Sequence, residues 1–261
     1  DPVIDNALAA GNSIPEPLAA RAETRAALGD QRKPLPENIR TLFPASFTFH
    51  EEMGWIPEGW EVSEIKEIGE VVCGKTPSTK VAENYGSEVP LITITDMHGN
   101  IFVLSPQKWL SRTGADSQAN KTLPVGSICV SCIATPGLVC ITHEESQTNQ
   151  QINSVIPNDG GQSEFWYWTF CGLGDQIRSG GSGGSVLSNL SKGRFEKLRV
   201  LVPKEELRTS YAETTRSMFD RLLSKLREMD SLANLRDTLL PKLLSGELRI
   251  PDAEKLVADS V

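Results

Sequence analysis

Histidine, paired cysteine motifs and long apolar runs are scarce in this sequence, and each shortage narrows the functions open to it. Three histidines are spread over 261 residues, so a serine–histidine–aspartate triad would depend on chance placement. No run approaches the roughly 18 apolar residues of a membrane-spanning helix. The first residues have neither a basic region nor an apolar core, so we expect no secretory signal.

Cysteine usage argues against a disulfide scaffold and against a metal centre. The five cysteines are an odd number in a chain of middle size, which favours a reducing cytoplasm. Cys129 and Cys132 form one CxxC pair, but neither a second pair nor two histidines follow at zinc spacing. We therefore expect these cysteines to belong to the core.

The charge balance excludes one way of binding nucleic acid. The chain has 26 Lys and Arg against 34 Asp and Glu, a formal net charge of −8. Nonspecific coating of nucleic acid depends on clustered basic side chains and is therefore not expected. The charge balance is compatible with a protein that recognises specific DNA sequences, provided that it has a local basic face or a basic partner.

Hydrophobic patterning predicts an α+β fold in three parts with a tail. Residues 1–58 form a helical arm or linker, 59–203 a β-rich domain, 204–250 a long helix and 251–261 the tail. Short runs with period-2 alternation, separated by Gly, Pro, Asn and Asp, indicate the strands. The predicted strands lie in EVSEIKEIGEVV, VPLITITDM, NIFVL, GSICVSCIA, GLVCITH, QINSVIP and LRVLVP, and a helix lies in FWYWTFCGLGDQI.

The long helix carries a stripe with alternating spacings of three and four that is apolar except for one polar residue, Arg236, which is typical of a coiled coil. A helix of about 40 residues spans roughly 60 Å, which is long for packing on its own domain alone. We expect it to pair with another long helix, the alternative being packing on the β-rich domain. The predicted pairing residues are Phe219, Leu222, Leu226, Met229, Leu240 and Leu243.

One segment matches a phosphate-binding loop, because Gly69–Thr76 fits the pattern GxxxxGK[ST]. The context disagrees: residues 71–73 have a strand pattern, and Pro77 stands where a helix should begin. A nucleotide-hydrolysing enzyme is therefore only an alternative. Ser182 lies in GGSGGS without the apolar strand that precedes a nucleophile elbow. The sequence has no [ND]PP[YF] methyltransferase motif, so it gives little support for catalysis.

Four polar loop segments are more informative than these motifs: GKTPSTK, TDMHGN, HEESQTNQQ and RSGGSGGSVLSNLS. Amide side chains can pair with adenine edges, basic ones with guanine or phosphate, and hydroxyls with phosphate. Each loop alone is typical of a solvated turn. Four of them on one β-rich domain beside a pairing helix favour a recognition module.

Several of these segments, in this order, resemble a known family. The stretch GWEVSEIKEIGEVVCGKTPSTKVAENYGSEVPLITITDM is similar to the start of the target recognition domain of a type I restriction–modification specificity subunit. LPVGSICVSCIATPGLVCI, TNQQINSVIP and GSGGSVLSNLSKGRFEKLRVLVP continue the resemblance. The segment ANLRDTLLPKLLSGELRI resembles the end of the family's conserved helical region. The resemblance covers about residues 59–250.

The resemblance implies a noncatalytic, cytoplasmic DNA reader. Each recognition domain of the family reads one half of an interrupted site in double-stranded DNA, while long paired helices set the gap and dock methyltransferase subunits. S-adenosylmethionine is bound by the methyltransferase, and ATP with Mg²⁺ by a separate restriction and translocase subunit. No cofactor or metal is then expected on this chain. The resemblance also makes GKTPS the family's usual turn after the first strand.

The chain departs from the family in having one recognition domain and one long helix. Its start at Asp1 and its arm, which is similar to an inter-domain segment, favour the C-terminal half of a longer subunit. A natural half-subunit that dimerises is the alternative. Because the apolar stripe needs a partner helix, we expect self-association or pairing with another specificity half.

The resemblance places the DNA contacts on the polar loops, with Arg178 and the serines after it contacting phosphates. Thr148 and Gln151 belong to the TNQQ segment, for which a structural role and a DNA-facing role are equally supported. The competing function is a protein-binding adaptor that multimerises through its long helix. The predicted DNA-binding residues are Lys75, Thr76, Ser78, Thr79, Lys80, Asp96, Met97, His98, Asn149, Gln150, Arg178, Ser179, Ser182 and Ser185.

Overall fold

The computed structural model describes residues 1–29, 35–179 and 190–250. Its helices are α1 (Pro2–Ala9), α2 (Ala19–Ala27), α3 (Glu37–Arg40), α4 (Ile65–Ile68), α5 (Ile94–Met97), α6 (Arg112–Asp116), α7 (Ser163–Cys171), α8 (Gly174–Ser179), α9 (Lys192–Phe195) and α10 (Glu205–Leu244). Its strands are β1 (Phe47–His50), β2 (Gly54–Pro57), β3 (Glu61–Glu64), β4 (Gly69–Cys73), β5 (Tyr85–Ile92), β6 (Trp109–Leu110), β7 (Ile128–Ser131), β8 (Val139–Ile141), β9 (Gln147–Thr148), β10 (Ile152–Pro157) and β11 (Arg199–Val202). Within the described ranges, no helix is long and apolar enough to cross a membrane.

A four-stranded antiparallel sheet, in the order β4–β10–β7–β8, forms the centre of the β-rich part. Successive side chains of a strand point to opposite faces, so Val71 and Val72 enter two different apolar clusters. One cluster is closed by α7, and the other by the segment that contains Met97 and Val103. Coverage on both faces explains why β7 is buried along its whole length.

A second sheet, in the order β6–β5–β9, is joined directly to the first. Strand β5 is antiparallel to β6 and parallel to β9. Residues 149–151 connect β9 to β10, so the carboxyl end of β5 lies near the start of β10. Strands β3 and β11 pair separately and bring the two ends of the β-rich part together.

Helix α10 packs on its own domain from its start as far as Asp230. Phe219 makes edge-to-face contacts with Phe102 and Tyr167, with ring centroids 6.3 and 6.2 Å apart. Farther along the helix, Asp230 accepts a hydrogen bond from the Ser105 hydroxyl over 2.8 Å. The predicted long helix is confirmed. Its apolar stripe packs here on the β-rich domain, which was the alternative prediction to pairing with another helix.

The structure therefore divides the predicted pairing residues. Phe219, Leu222 and Leu226 pack against the core of the β-rich part, so they are not available to a partner helix. Met229 and Leu240 are exposed, and Leu243 is half-buried. The stripe is apolar except at Arg236, and after Leu226 it is largely exposed.

The arm is more structured than the sequence indicates. Asn6 fastens α1 by donating to the carbonyl oxygens of Arg40 and Phe43 over 3.0 and 2.9 Å. Strands β1 and β2 form a hairpin with a cross-strand pair between Phe49 and Trp55. No strand was predicted there, because prolines interrupt the alternating pattern.

Two of the predicted strand segments each contain a helical turn, and a third predicted segment forms no strand. In both turns a residue before the helix exchanges hydrogen bonds with a carboxylate three positions later: Glu64 with Glu67 at α4 and Thr93 with Asp96 at α5. This capping box overrides the strand preference of the isoleucines. The segment NIFVL forms no strand, and Phe102 makes only an isolated bridge to Ile141.

Candidate nucleic-acid interface

Three of the predicted polar loops meet at one end of the two sheets. Strand β4 runs into residues 74–80, β5 runs into residues 93–98, and residues 149–151 lead from β9 to β10. Because β5 and β9 are parallel neighbours, the N–H of Asn149 donates to the carbonyl oxygen of Ile92 over 3.1 Å. Residues 74–80, 93–98 and 149–151 are called the loop face below.

The first and third loops are joined through their backbones. The N–H of Lys75 donates to the carbonyl oxygen of Thr148 over 2.9 Å, and the N–H of Gly74 to that of Ile152 over 3.1 Å. Position 74 must be glycine, because a Cβ there would overlap the carbonyl oxygens of Thr148 and Asn149. These two loops therefore form one rigid unit.

Side chains beneath residues 74–80 hold the carbonyl groups of that loop. The buried amide of Gln118 donates to the carbonyl oxygen of Lys75 over 2.7 Å. The phenol of Tyr85 donates to that of Pro77 over 2.9 Å. With its backbone fixed, the loop exposes two cations and two hydroxyls, which belong to Lys75, Ser78, Thr79 and Lys80.

Thr76 and Gln150 extend this unit toward the surface. The Thr76 hydroxyl donates to Oε1 of Gln150 over 3.0 Å, and Gln150 itself is exposed. Asn149 is half-buried and accepts the N–H of Gln151 over 3.1 Å. Thr148 is fully buried. The segment is thus structural at Thr148, while Asn149 and Gln150 stay predicted DNA contacts.

The second loop corrects two predicted DNA contacts. Asp96 is 7 % exposed, and its carboxylate accepts the N–H of Thr93 over 2.8 Å and that of Gln107 over 3.0 Å. Met97 is 1 % exposed and packs in the core. Neither side chain can reach DNA while the domain is folded. His98 is exposed and stays a predicted contact.

The loop face carries no exposed carboxylate, although the chain is acidic overall. Its charged residues are Lys75, Lys80, buried Asp96 and His98 when protonated. The next acidic residue after Lys80 is Glu83. This end of the sheets therefore offers cations, hydroxyls and amides without the repulsion that would oppose a polyanion.

The other end of the four-stranded sheet has the opposite character. It consists of α4 and residues 124–127, 142–146 and 158–162, which precede or follow the same four strands. Lys66 lies there with four carboxylates, those of Glu67, Glu144, Glu145 and Asp159, of which Glu145 pairs with Arg112 and Asp159 with Arg208. The predicted loop HEESQTNQQ is therefore split, since its HEES portion lies at this acidic end and TNQQ at the loop face.

The fourth predicted loop is described only in part. Arg178 and Ser179 belong to the end of α8, but their side chains lie outside the described residues, as do Ser182 and Ser185 entirely. The chain is described again from Leu190, whose N–H donates to the carbonyl oxygen of Cys132 over 3.3 Å. Leu190 thus lies at the same end of the sheet as the loop face.

One further turn at this end was missed at the sequence level. Residues 132–138 connect β7 to β8 and include exposed Ala134 and Thr135. The available signal was the Pro136-Gly137 pair between two strand patterns. The segment was interpreted through its cysteines instead.

The structure also bears on the two sequence motifs that suggested other chemistry, the GxxxxGK[ST] segment and the CxxC pair. Residues 69–73 form β4, and no helix begins at Lys75. Cys129 and Cys140 face each other across β7 and β8 in the core. Burial raises the pKa of the Cys132 thiol to about 11. In the described part of the chain, no three His, Cys, Asp or Glu side chains are grouped to hold a metal ion.

Comparison with known proteins gives a consistent result. The family model described as type I restriction modification DNA specificity domain matches residues 57–214. The type I restriction enzyme HindI specificity subunit of Haemophilus influenzae is 41 % identical over 195 residues, covering 74 % of this chain and 42 % of that protein. The type I restriction enzyme MjaIX specificity subunit of Methanocaldococcus jannaschii is 30 % identical over 199 residues, covering 73 % and 46 %.

A solved structure supports the same fold. The crystal structure of the HsdS subunit from Thermoanaerobacter tengcongensis superposes with a TM-score of 0.50 at 16 % identity, covering 88 % of this chain and 53 % of that one. The chain spans about half the length of the relatives it matches. Because the family model covers more than half of the sequence, this chain belongs to the type I restriction modification DNA specificity domain family.

Proposed function

We propose that this chain reads one half of an interrupted site in duplex DNA as part of a type I restriction–modification assembly. Residues 59–203 would act as the recognition domain and 204–250 as the spacer helix, with no catalytic step on this chain. The observation that carries the proposal is the loop face, where three polar loops without an exposed carboxylate meet on a rigid support.

The side chains of the loop face fit two kinds of contact with DNA, one with phosphates and one with base edges. Lys75 and Lys80 suit phosphates, because ammonium groups contribute counterion release without base preference. Gln150 and Asn149 carry amides that can pair with adenine, and His98 is exposed on the second loop. The adaptor alternative is not favoured, because the matched relatives are specificity subunits.

The partners follow from the same proposal. Methyltransferase subunits would supply S-adenosylmethionine chemistry, and a restriction subunit would supply ATP-dependent translocation and cleavage, in the cytoplasm. The second half of α10 would pair with another specificity half through Met229, Leu240 and Leu243. Exposed Leu232 and Leu244 on the same half support this surface.

Purification of the tagged chain from its own host tests the proposal. We expect a methyltransferase subunit to accompany it in stoichiometric amount, identified by mass spectrometry. Methylome sequencing with and without the chain should then show one interrupted motif that depends on it. Recovery of the chain alone or with unrelated proteins, and a methylome that does not change, would contradict the proposal.

A further inference from the structure

We propose that the turn between β7 and β8, residues 132–138, is an additional contact with the DNA backbone, in which the Thr135 hydroxyl donates to a phosphate. The inference rests on the proposed function, because it extends the loop face by a segment that is not among the predicted DNA contacts. It concerns affinity for any duplex rather than recognition of particular bases.

The turn lies beside the loop face. The N–H of Cys132 donates to the carbonyl oxygen of Gln151 over 2.9 Å, which joins the turn to the TNQQ segment. On its other side, the carbonyl oxygen of Cys132 accepts the N–H of Leu190 over 3.3 Å. A duplex that spans residues 74–80 and 149–151 therefore approaches this turn as well.

The turn is held in a conformation that residues other than glycine rarely adopt. Ala134 has a φ of 61° and is the one non-glycine residue with a positive φ in the described ranges. The N–H of Thr135 donates to the carbonyl oxygen of Ile133 over 2.8 Å, which closes a three-residue γ-turn around Ala134. Such geometry persists only where the surrounding structure imposes it.

Ser131 imposes it from below. Its fully buried hydroxyl donates to the carbonyl oxygen of Thr135 over 2.5 Å and accepts the N–H of Leu138 over 2.8 Å. The backbone of Thr135 is thereby fixed while its side chain is exposed. A hydroxyl on a fixed backbone loses less freedom when it binds a phosphate than one on a flexible loop does.

The composition of the turn suits close approach by a polyanion. Residues 133–137 are Ile, Ala, Thr, Pro and Gly, so none carries a charge, and the exposed ones are small. Hydroxyl groups of threonine are common phosphate ligands in protein–DNA complexes. Because no amide or guanidinium stands here to read base edges, the expected contact is independent of sequence.

Binding of the full chain to a pool of short random-sequence duplexes at low salt tests the inference. We expect Thr135→Ala to weaken binding about tenfold, the size of one hydrogen bond to a charged group. Thr135→Ser should restore most of the affinity, and Thr135→Glu should lower it further by repulsion. Val125→Glu is the matched control, because Val125 is 67 % exposed at the other end of β7.

The outcomes separate this inference from the proposed function. Melting temperatures of all variants should match that of the unaltered chain, since both positions are exposed. If Lys75→Ala weakens binding while Thr135→Glu binds as the unaltered chain does, the turn is not a contact and the proposed function stands. If the unaltered chain binds no duplex at low salt, the proposed function and this inference are both overturned.

Discussion

The N–H of Lys75 donates to the carbonyl oxygen of Thr148 over 2.9 Å, so the loop after β4 is fastened to a strand from far along the chain. A phosphate-binding loop needs its backbone N–H groups free for the phosphates. Here the N–H groups of Gly74 and Lys75 are both directed to carbonyl oxygens of the protein. The same contacts that exclude a nucleotide loop build the loop face.

Gly74→Ala should destabilise the chain. A Cβ at this position would overlap backbone oxygens of Thr148 and Asn149, and backbone cannot give way as a flexible side chain can. We expect a loss of about 2–3 kcal/mol in the free energy of unfolding, measured by urea denaturation. Gly193→Ala in α9 is the control, because its added Cβ meets nothing within 4 Å apart from its chain neighbours and the backbone of its own helix. Equal stability of the two variants would contradict the close contact at Gly74.

Lys75→Ala should weaken binding to every duplex sequence alike. Removing one phosphate contact should lower the slope of log affinity against log salt by about 0.9. Lys66→Ala at the acidic end should leave the slope unchanged, since Lys66 lies at the opposite end of the sheet and pairs with Glu64. An unchanged slope for Lys75→Ala would remove this residue from the phosphate contacts. Nucleotide binding that depends on Lys75 would instead revive the enzyme alternative.

Asp96→Ala should reduce stability, because Asp96 supports the second loop from inside. Its carboxylate accepts N–H groups of both Thr93 and Gln107, and we expect a loss of about 2 kcal/mol by thermal or chemical unfolding. His98→Ala, in the same loop but exposed, should leave stability within about 0.5 kcal/mol. A destabilised His98→Ala variant beside a stable Asp96→Ala variant would reverse these roles.

Substitutions along α10 should separate packing from pairing. Phe219→Ala should cost about 2–3 kcal/mol of stability, because the ring packs against Phe102 and Tyr167. Leu240→Ala should hardly change the stability of the monomer but should weaken self-association, measured by sedimentation. A monomeric unaltered chain at micromolar concentration would contradict pairing through the second half of α10.

Stability should fall at high pH through Cys132. Burial raises the pKa of its thiol from 9.0 to about 11, so the unfolded chain releases this proton at lower pH than the folded chain does. The contribution is fully present below pH 9 and is lost as the pH rises through about 11. Cys132→Ala should flatten the decline in melting temperature over this range. An equally steep decline in that variant would assign the effect to other groups.

The sequence predicted the elements that depend on local patterns. Alternation in ICVS and INSVIP gave β7 and β10, and the stripe with spacings of three and four gave the long helix. The sequence could not show that Phe219 faces its own domain while Leu240 is exposed, because both are apolar residues on one stripe. Which neighbour covers a residue depends on tertiary contacts that periodicity does not contain.

The candidate site was predicted as a set of loops rather than as a surface. Polarity identified residues 74–80 and 149–151, but their union depends on the antiparallel pairing of β4 with β10 and on the backbone bond from Lys75 to Thr148. Asp96 and Met97 were included because they lie in a polar loop. Their burial follows from the capping box at α5, which turns the helix into the core.

Hydrogen–deuterium exchange of the full chain, with and without duplex DNA, tests the central claim most directly. We predict slower exchange in residues 74–80, 93–98 and 149–151 when DNA is bound. Exchange in residues 142–146 and 158–162, at the acidic end, should stay the same. Protection confined to the acidic end, or to α10 alone, would contradict the assignment of the loop face as the DNA-binding surface.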